Sequence, residues 1–158
     1  MIIHPIPPLY NENSHILILG SFPSVKSREQ MFFYGHPQNR FWKVLAAVFE
    51  CAVPQNMEEK RKFLYERQIA VWDVIGSCDI EGSADSTIKN AIPNDLSIIL
   101  DNSDIKHIFV NGKTSEKYYN KYQKSKINRN AKCLPSTSPA NAAYSLEKLI
   151  DAWIVIRT

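Results

Sequence analysis

Ile16-Leu-Ile-Leu-Gly20-Ser-Phe-Pro-Ser24 and, a few residues on, Phe32-Phe-Tyr-Gly-His36-Pro-Gln-Asn-Arg40-Phe-Trp-Lys-Val-Leu45 form the stretch around which the rest of the chain arranges itself. Ile16 to Leu19 is too short for a helix and apolar on both alternating faces, as a strand in the middle of a covered parallel sheet should be. Gly20 ends that strand, and Pro23 bars its continuation while holding Phe22 extended. From Gln30 through Trp42 there are five aromatic residues, one histidine and one asparagine. So long and aromatic a connection, leaving the carboxyl end of a strand, is where an open α/β sheet places its ligand.

Working outward, prolines 5, 7 and 8 predict an extended N-terminal arm, and His15–Leu19 is the first strand. Asn39 or Arg40 opens a helix with Phe41, Leu45, Val48 and Phe49 at helical spacing, ending before Pro54. A charged helix covers Met57–Arg67 and buries Phe63 and Leu64. Ile69–Ile75 reads as the second strand, closed by Gly76-Ser77, and Cys78–Ser86 as an irregular loop. Asn94 is placed to cap a short helix over Asp95–Leu100. Ile105–Val110 is the third strand, ending at Asn111-Gly112, with Thr114 or Ser115 capping the tyrosine-rich helix after it. Ala131–Leu134 is the fourth strand. Leu146, Leu149, Ile150, Trp153 and Ile154 form the packing stripe of a last helix, and Trp42 and Trp153 belong to the core by spacing.

This alternation predicts a single-domain three-layer α/β/α sandwich around a four-stranded parallel sheet. The four strands then end on one edge, at Gly20-Ser-Phe-Pro23, Gly76-Ser77, Asn111-Gly112 and Pro135-Ser-Thr-Ser-Pro139. Asp73 falls inside the second strand and Asp79 and Glu81 just beyond it; surface or capping roles are expected for all three.

Composition narrows the class. At 158 residues, 44% apolar and 22% charged, the chain has the makeup of one ordinary globular domain, and no apolar run is long enough to span a membrane. Cys51, Cys78 and Cys133 are odd in number and widely spaced, which predicts reduced thiols, no metal site and a cytoplasmic location. The net charge of +3 identifies no partner. Yet Lys113 to Lys132 holds seven basic residues against one acidic residue. Lys113, Lys117 and Lys121 share one face at helical spacing, a solvated face or a phosphate-contacting one.

Glycine-rich nucleotide fingerprints and a nucleophile elbow are absent, which excludes Rossmann, P-loop and hydrolase-triad readings. What remains at the strand ends is a pocket of amides, hydroxyls and aromatic faces. Such a pocket suits stacking a flat heterocycle, hydrogen-bonding its edge and stabilising developing charge.

Three segments resemble a known family: Gly20-Ser-Phe-Pro-Ser24, Tyr34-Gly-His-Pro-Gln-Asn-Arg-Phe-Trp-Lys-Val44 and Ser136-Thr-Ser-Pro-Ala-Asn-Ala142. They are similar to the motifs of the uracil-DNA glycosylase superfamily. The His-Pro-x-Asn-x-Phe-Trp run is similar to the mismatch-specific branch, and the details lie closer to the family 6 hypoxanthine-DNA glycosylases. Two departures stand out. Phe22 occupies the place where uracil-excising members carry an acidic or amide group that positions water. Ser138-Pro139-Ala140 replaces the usual start of the second motif.

The resemblance implies a cofactor-free, monomeric, monofunctional enzyme of base excision repair acting on DNA that contains a deaminated base, most closely hypoxanthine. Asn39 and Asn111 would carry catalysis, Asn111 at the base and Asn39 at the water or sugar, with the two roles exchangeable. From position alone Asn39 also fits a helix N-cap and Asn111 a turn. Ser21, Phe22, Pro23, Tyr34, His36 and Ser77 are expected in the base pocket, with Tyr34 stacking on the base. Ser24, Lys26, Lys113, Ser136, Ser138, Pro139 and Asn141 are expected to contact DNA. Uracil or mismatch excision, and a non-catalytic DNA- or nucleobase-binding domain, are the alternatives.

Overall fold

In the computed structural model, which describes residues 1–157, the N-terminal arm begins with a two-residue strand, β1 (Ile2–Ile3). The strands after it are β2 (Ile16–Gly20), β3 (Ile69–Asp73), β4 (Ile75–Asp79), β5 (Lys89–Pro93), β6 (His107–Asn111) and β7 (Lys132–Leu134). The predicted parallel sheet is present, in the order β3-β2-β6-β7. Every residue of β2 and β3 is buried, so both faces of the sheet are covered.

The helices are α1 (Val25–Gln30), α2 (Phe41–Val48), α3 (Met57–Glu66), α4 (Ser97–Leu100), α5 (Lys113–Tyr118), α6 (Lys124–Ile127) and α7 (Leu146–Trp153). Helix α2 packs with α7, and Trp153 meets the Phe41 ring edge-on at 6.0 Å. Helix α3 packs on β3, and α5 packs on β6 and β7. Of the predicted stripe on α7, Leu149 and Trp153 are buried, whereas Leu146 and Ile154 are exposed. The helix is too short to carry a five-residue stripe: it becomes a 3-10 turn at Ile154, whose three-residue repeat moves the side chain off the buried face.

The expected single strand Ile69–Ile75 is two strands. After Asp73 the chain leaves the parallel sheet, and Ile75–Asp79 pairs antiparallel with β1 and β5 in a second, three-stranded sheet. Gly76 permits this, since a Cβ there would stand 2.8 Å from Asn94 Oδ1 and 3.2 Å from Pro93 O. Asn94 is not a helix cap: its amide donates to the carbonyls of Asp73 and Ile75, fastening the bend. Neither Thr114 nor Ser115 caps α5, which starts from Gly112 at φ 96°. Helix α1 inside the aromatic loop, closed by Ser24 accepting from Ser27 N, has no apolar stripe to announce it.

The lysine face is broken as well. A π-helical turn at Tyr119–Gln123 joins α5 to α6, so the four-residue spacing of Lys113, Lys117 and Lys121 does not hold along one continuous α-helix. No helix among the described residues is long and apolar enough to cross a membrane.

Candidate nucleobase pocket

At the carboxyl edge of the parallel sheet lies a pocket of about 530 Å³, a size that suits a small planar ligand. Its lining comes from the first-strand turn (Gly20 to Ser24), Ser27, Phe33, Tyr34, His36 and Asn39 of the aromatic loop, Asp73, the 83–86 loop, Asn111 and the 136–140 loop.

Asn39 and Asn111 meet through Thr137, which is fully buried. Thr137 N donates to Asn111 Oδ1 at 3.0 Å, which fixes the orientation of that amide. Asn111 Nδ2 therefore donates to Thr137 Oγ1, also at 3.0 Å. With that lone pair used, the threonine hydroxyl donates to Asn39 Oδ1 at 2.9 Å. Asn39 Oδ1 also accepts from Phe41 N at 2.9 Å. Both lone pairs of this oxygen are used, leaving its NH2 as the free functional group. The N-cap of α2 is Arg40, so Asn39 does not occupy the cap position that its sequence context also suited; it precedes the cap, accepts from the first helical amide and lines the pocket.

Tyr34 has a left-handed backbone (φ 53°), and its ring stacks on Phe41 with centroids 3.8 Å apart. The hydroxyl points inward, is closed to solvent and makes no hydrogen bond to the described residues. Burial, then the nearby Asp73 charge, holds the phenol far above its ordinary range, while the Asn111 amide pulls weakly the other way. It stays a proton donor.

Of the expected base-pocket residues, Ser21, Phe22, Pro23, Tyr34 and His36 line the cavity. Ser77 does not: it lies on β4, paired with Ile3, because the chain bends out of the parallel sheet before reaching it. Among the expected DNA contacts, Ser24, Ser136, Ser138 and Pro139 line the mouth. Asn141 lies behind them, donating to Ser136 O. Arg40 holds this loop by donating to the carbonyls of Ser138 and Asn141, each at 3.0 Å, and of Tyr144. Lys26 and Lys113 are exposed outside the pocket, Lys26 beside Glu29 at 3.6 Å.

Two carboxylates were not expected here. Asp73 is 4% exposed and shares a 2.7 Å hydrogen bond with His4 of the N-terminal arm, so its surface or capping assignment is wrong. The available signal was its place at the carboxyl end of an apolar strand; its partner, 69 residues away, left none. Asp85 stands at the rim, where Ser21 Oγ lies 3.0 and 3.1 Å from its two oxygens. Its carboxyl is pushed up by the protein around it and by Asp73, against the hydrogen bond from Ser21. No group of three or more His, Cys, Asp or Glu residues among the described residues is arranged to hold a metal ion.

Comparison with known proteins identifies the family and the fold. The family model of the uracil DNA glycosylase superfamily matches residues 7–156. A protein of Methanosarcina acetivorans named hypoxanthine DNA glycosylase is 35% identical over 147 residues, 92% of each chain. One of the same name from Methanosarcina barkeri is 37% identical over 114 residues, 71% of this chain and 72% of the relative. A solution NMR structure from Methanosarcina acetivorans, provisionally named a uracil DNA glycosylase, superposes over all of both chains with a TM-score of 0.81 at 30% identity. With a family match across nearly the whole length and a pocket at the sheet edge where the family motifs converge, the chain belongs to the uracil DNA glycosylase superfamily.

Proposed function

We propose that this chain is a monomeric, single-domain DNA glycosylase that takes a deaminated base, hypoxanthine, out of the duplex and hydrolyses its glycosidic bond. The observation that carries the reading is the pair of asparagines tied together by Thr137 at the floor of a stacking pocket. The relatives named hypoxanthine DNA glycosylase support the choice of base.

In the reaction the C1′–N9 bond breaks and its electron pair leaves with the base; water gives its hydroxyl to C1′, and its remaining proton ends on the purine. Charge builds positive on the sugar and negative on the purine. Asn39, whose oxygen is saturated, offers only N–H donors and suits the departing anion. Asn111 keeps one N–H and one lone pair and suits the attacking water. Donor count thus favours the exchange of roles that the sequence left open. Phe22 cannot position water; it packs edge-on against His4 at 5.8 Å and walls the pocket.

The test is strand cleavage, after alkali, of duplexes carrying one deoxyinosine or one deoxyuridine. Cleavage at inosine that disappears in Asn39→Ala and Asn111→Ala, with DNA affinity retained, is the expected result. Cleavage at uracil alone would replace hypoxanthine by uracil as the substrate. Tight binding with no cleavage of either would make the chain a binding domain.

A further inference from the structure

We propose that His4 sets the purine specificity of the pocket by occupying one oxygen of Asp73, leaving a single acceptor for the ring N–H of a 6-oxopurine. The proposal rests on the hypoxanthine reading above and adds the group that reads the base. It begins with the register of β2 and β3, which sets Asp73 beside Gly20 at the pocket floor. A Cβ on Gly20 would collide with Asp73 Oδ1 and stand 3.2 Å from Tyr34 Oη, so the missing side chain opens the space that both atoms share.

The imidazole of His4 is held in one tautomer. Ile6 N donates to His4 Nδ1 at 3.2 Å, so that nitrogen carries a lone pair and the proton sits on Nε2. Nε2 donates to Asp73 Oδ2 at 2.7 Å, and both side chains are almost fully buried. Phe22 and Trp72 meet the imidazole edge-on at 5.8 and 6.0 Å and hold it in place. Asp73 Oδ1 receives no hydrogen bond from the described residues, and neither does the buried Tyr34 hydroxyl. An acceptor on the pocket lining and a buried donor, both without a protein partner, flank the space above Gly20. Unpaired polar atoms of this kind are costly unless a ligand completes them.

The complement of an acceptor beside a donor is an N–H beside a carbonyl. Hypoxanthine presents this pair as N1–H and O6. Adenine presents the reverse, an acceptor at N1 and a donor at N6, and its N1 lone pair is repelled by the acceptor-only carboxylate oxygen of Asp73. Guanine is the harder competitor, since it shares N1–H and O6 and adds an amino group next to them. A free carboxylate forks across two adjacent donors of that kind. With Oδ2 given to His4, Asp73 has only one oxygen to offer, and the guanine amino group finds no acceptor there. His4 is a positioning residue in this scheme, and Asp73 is the residue that touches the base.

The experiment measures single-turnover excision from otherwise identical oligonucleotides containing deoxyinosine, deoxyguanosine or deoxyadenosine, together with inhibition by free hypoxanthine and free guanine. His4→Ala is expected to lower the preference for hypoxanthine over guanine by about tenfold or more, in excision and in inhibition alike. His4→Gln, whose amide can donate to the same oxygen, is expected to restore it. In Asp73→Asn the His4 proton fixes the amide oxygen, so NH2 faces the base; inosine excision is expected to fall about a hundredfold or more with thermal stability retained.

Parent protein that leaves inosine untouched would defeat the hypoxanthine reading itself. Parent protein that cleaves inosine, with Asp73→Asn equally active or with the preference unchanged in His4→Ala, would overturn this proposal and leave that reading standing. If His4→Ala does not fold, Asp73→Asn decides.

Discussion

Asn39 and Asn111, 72 positions apart, share one hydroxyl: Thr137 Oγ1 gives its proton to the first and takes one from the second, at 2.9 and 3.0 Å. Neither amide can turn over without breaking both bonds. The pair is held in one orientation before any substrate arrives, which is what electrostatic stabilisation of a short-lived charge demands.

Thr137→Val keeps the shape and removes the hydroxyl. Asn111 Nδ2 and Asn39 Oδ1 each lose a partner, at a cost of about 1–3 kcal/mol in stability. Excision is expected to slow by about tenfold to a hundredfold through kcat, with substrate affinity little changed. Thr137→Ser should recover most of the rate. Steady-state kinetics with a melting curve for each variant checks this; a fall in KM-dependent terms alone would count against it.

Gly20→Ala inserts a methyl group between Asp73 Oδ1 and Tyr34 Oη. Crowding at so tight a point is expected to destabilise by about 1–3 kcal/mol. Inosine excision should fall further than stability explains, because the methyl fills the floor of the pocket. Denaturant unfolding and activity, measured well below the variant's melting temperature, separate the two effects.

Asp85 gives a pH prediction. Its folded-state carboxyl is held above the ordinary range, so in the window just above that range the native protein binds more protons than the unfolded chain. Stability therefore declines as pH rises through the window. Asp85→Asn removes the decline while its side-chain oxygen can still accept from Ser21. The variant should melt above the parent at neutral pH and converge with it below the ordinary carboxylate range. The group is at an exposed rim, so the gain is under about 1 kcal/mol. Melting temperature against pH for both proteins is the measurement.

Arg40→Ala frees three carbonyls of the 138–144 segment. A loss of about 1.5–3 kcal/mol is expected from hydrogen bonds to a charged donor. Amide exchange should quicken in that segment, and DNA affinity should weaken without a change in the preferred base. Exchange that quickens uniformly across the chain would refute the local role.

The parallel sheet and most of the pocket were legible because they depend on local patterns. Ile16 to Leu19 is apolar on both faces, and Gly20, Asn111 and Ser136 follow strands whose ends must share an edge. The second sheet was not legible, since Val74 carries no turn signal; the bend there depends on Asn94, twenty residues on, bonding across it. Asp73 was misassigned for a related reason. A carboxylate in a strand reads as exposed until its partner is known, and His4 is brought to it by the whole fold. Thr137 lay between two serines in a segment with no periodicity to distinguish it.

The N-terminal arm takes its backbone pairing and its one buried ion-pair partner from far along the chain: Ile2 pairs with Cys78, His4 meets Asp73 and Leu9 pairs with Val71. In a growing chain those first residues must wait until some seventy more have been made before they can dock, and closing so long a loop is slow. The same geometry makes the arm separable. Peeling it away would leave the four parallel strands paired while taking His4 from Asp73 of the pocket lining, so a nick or a passing local opening in this segment would disturb the pocket without unfolding the sheet.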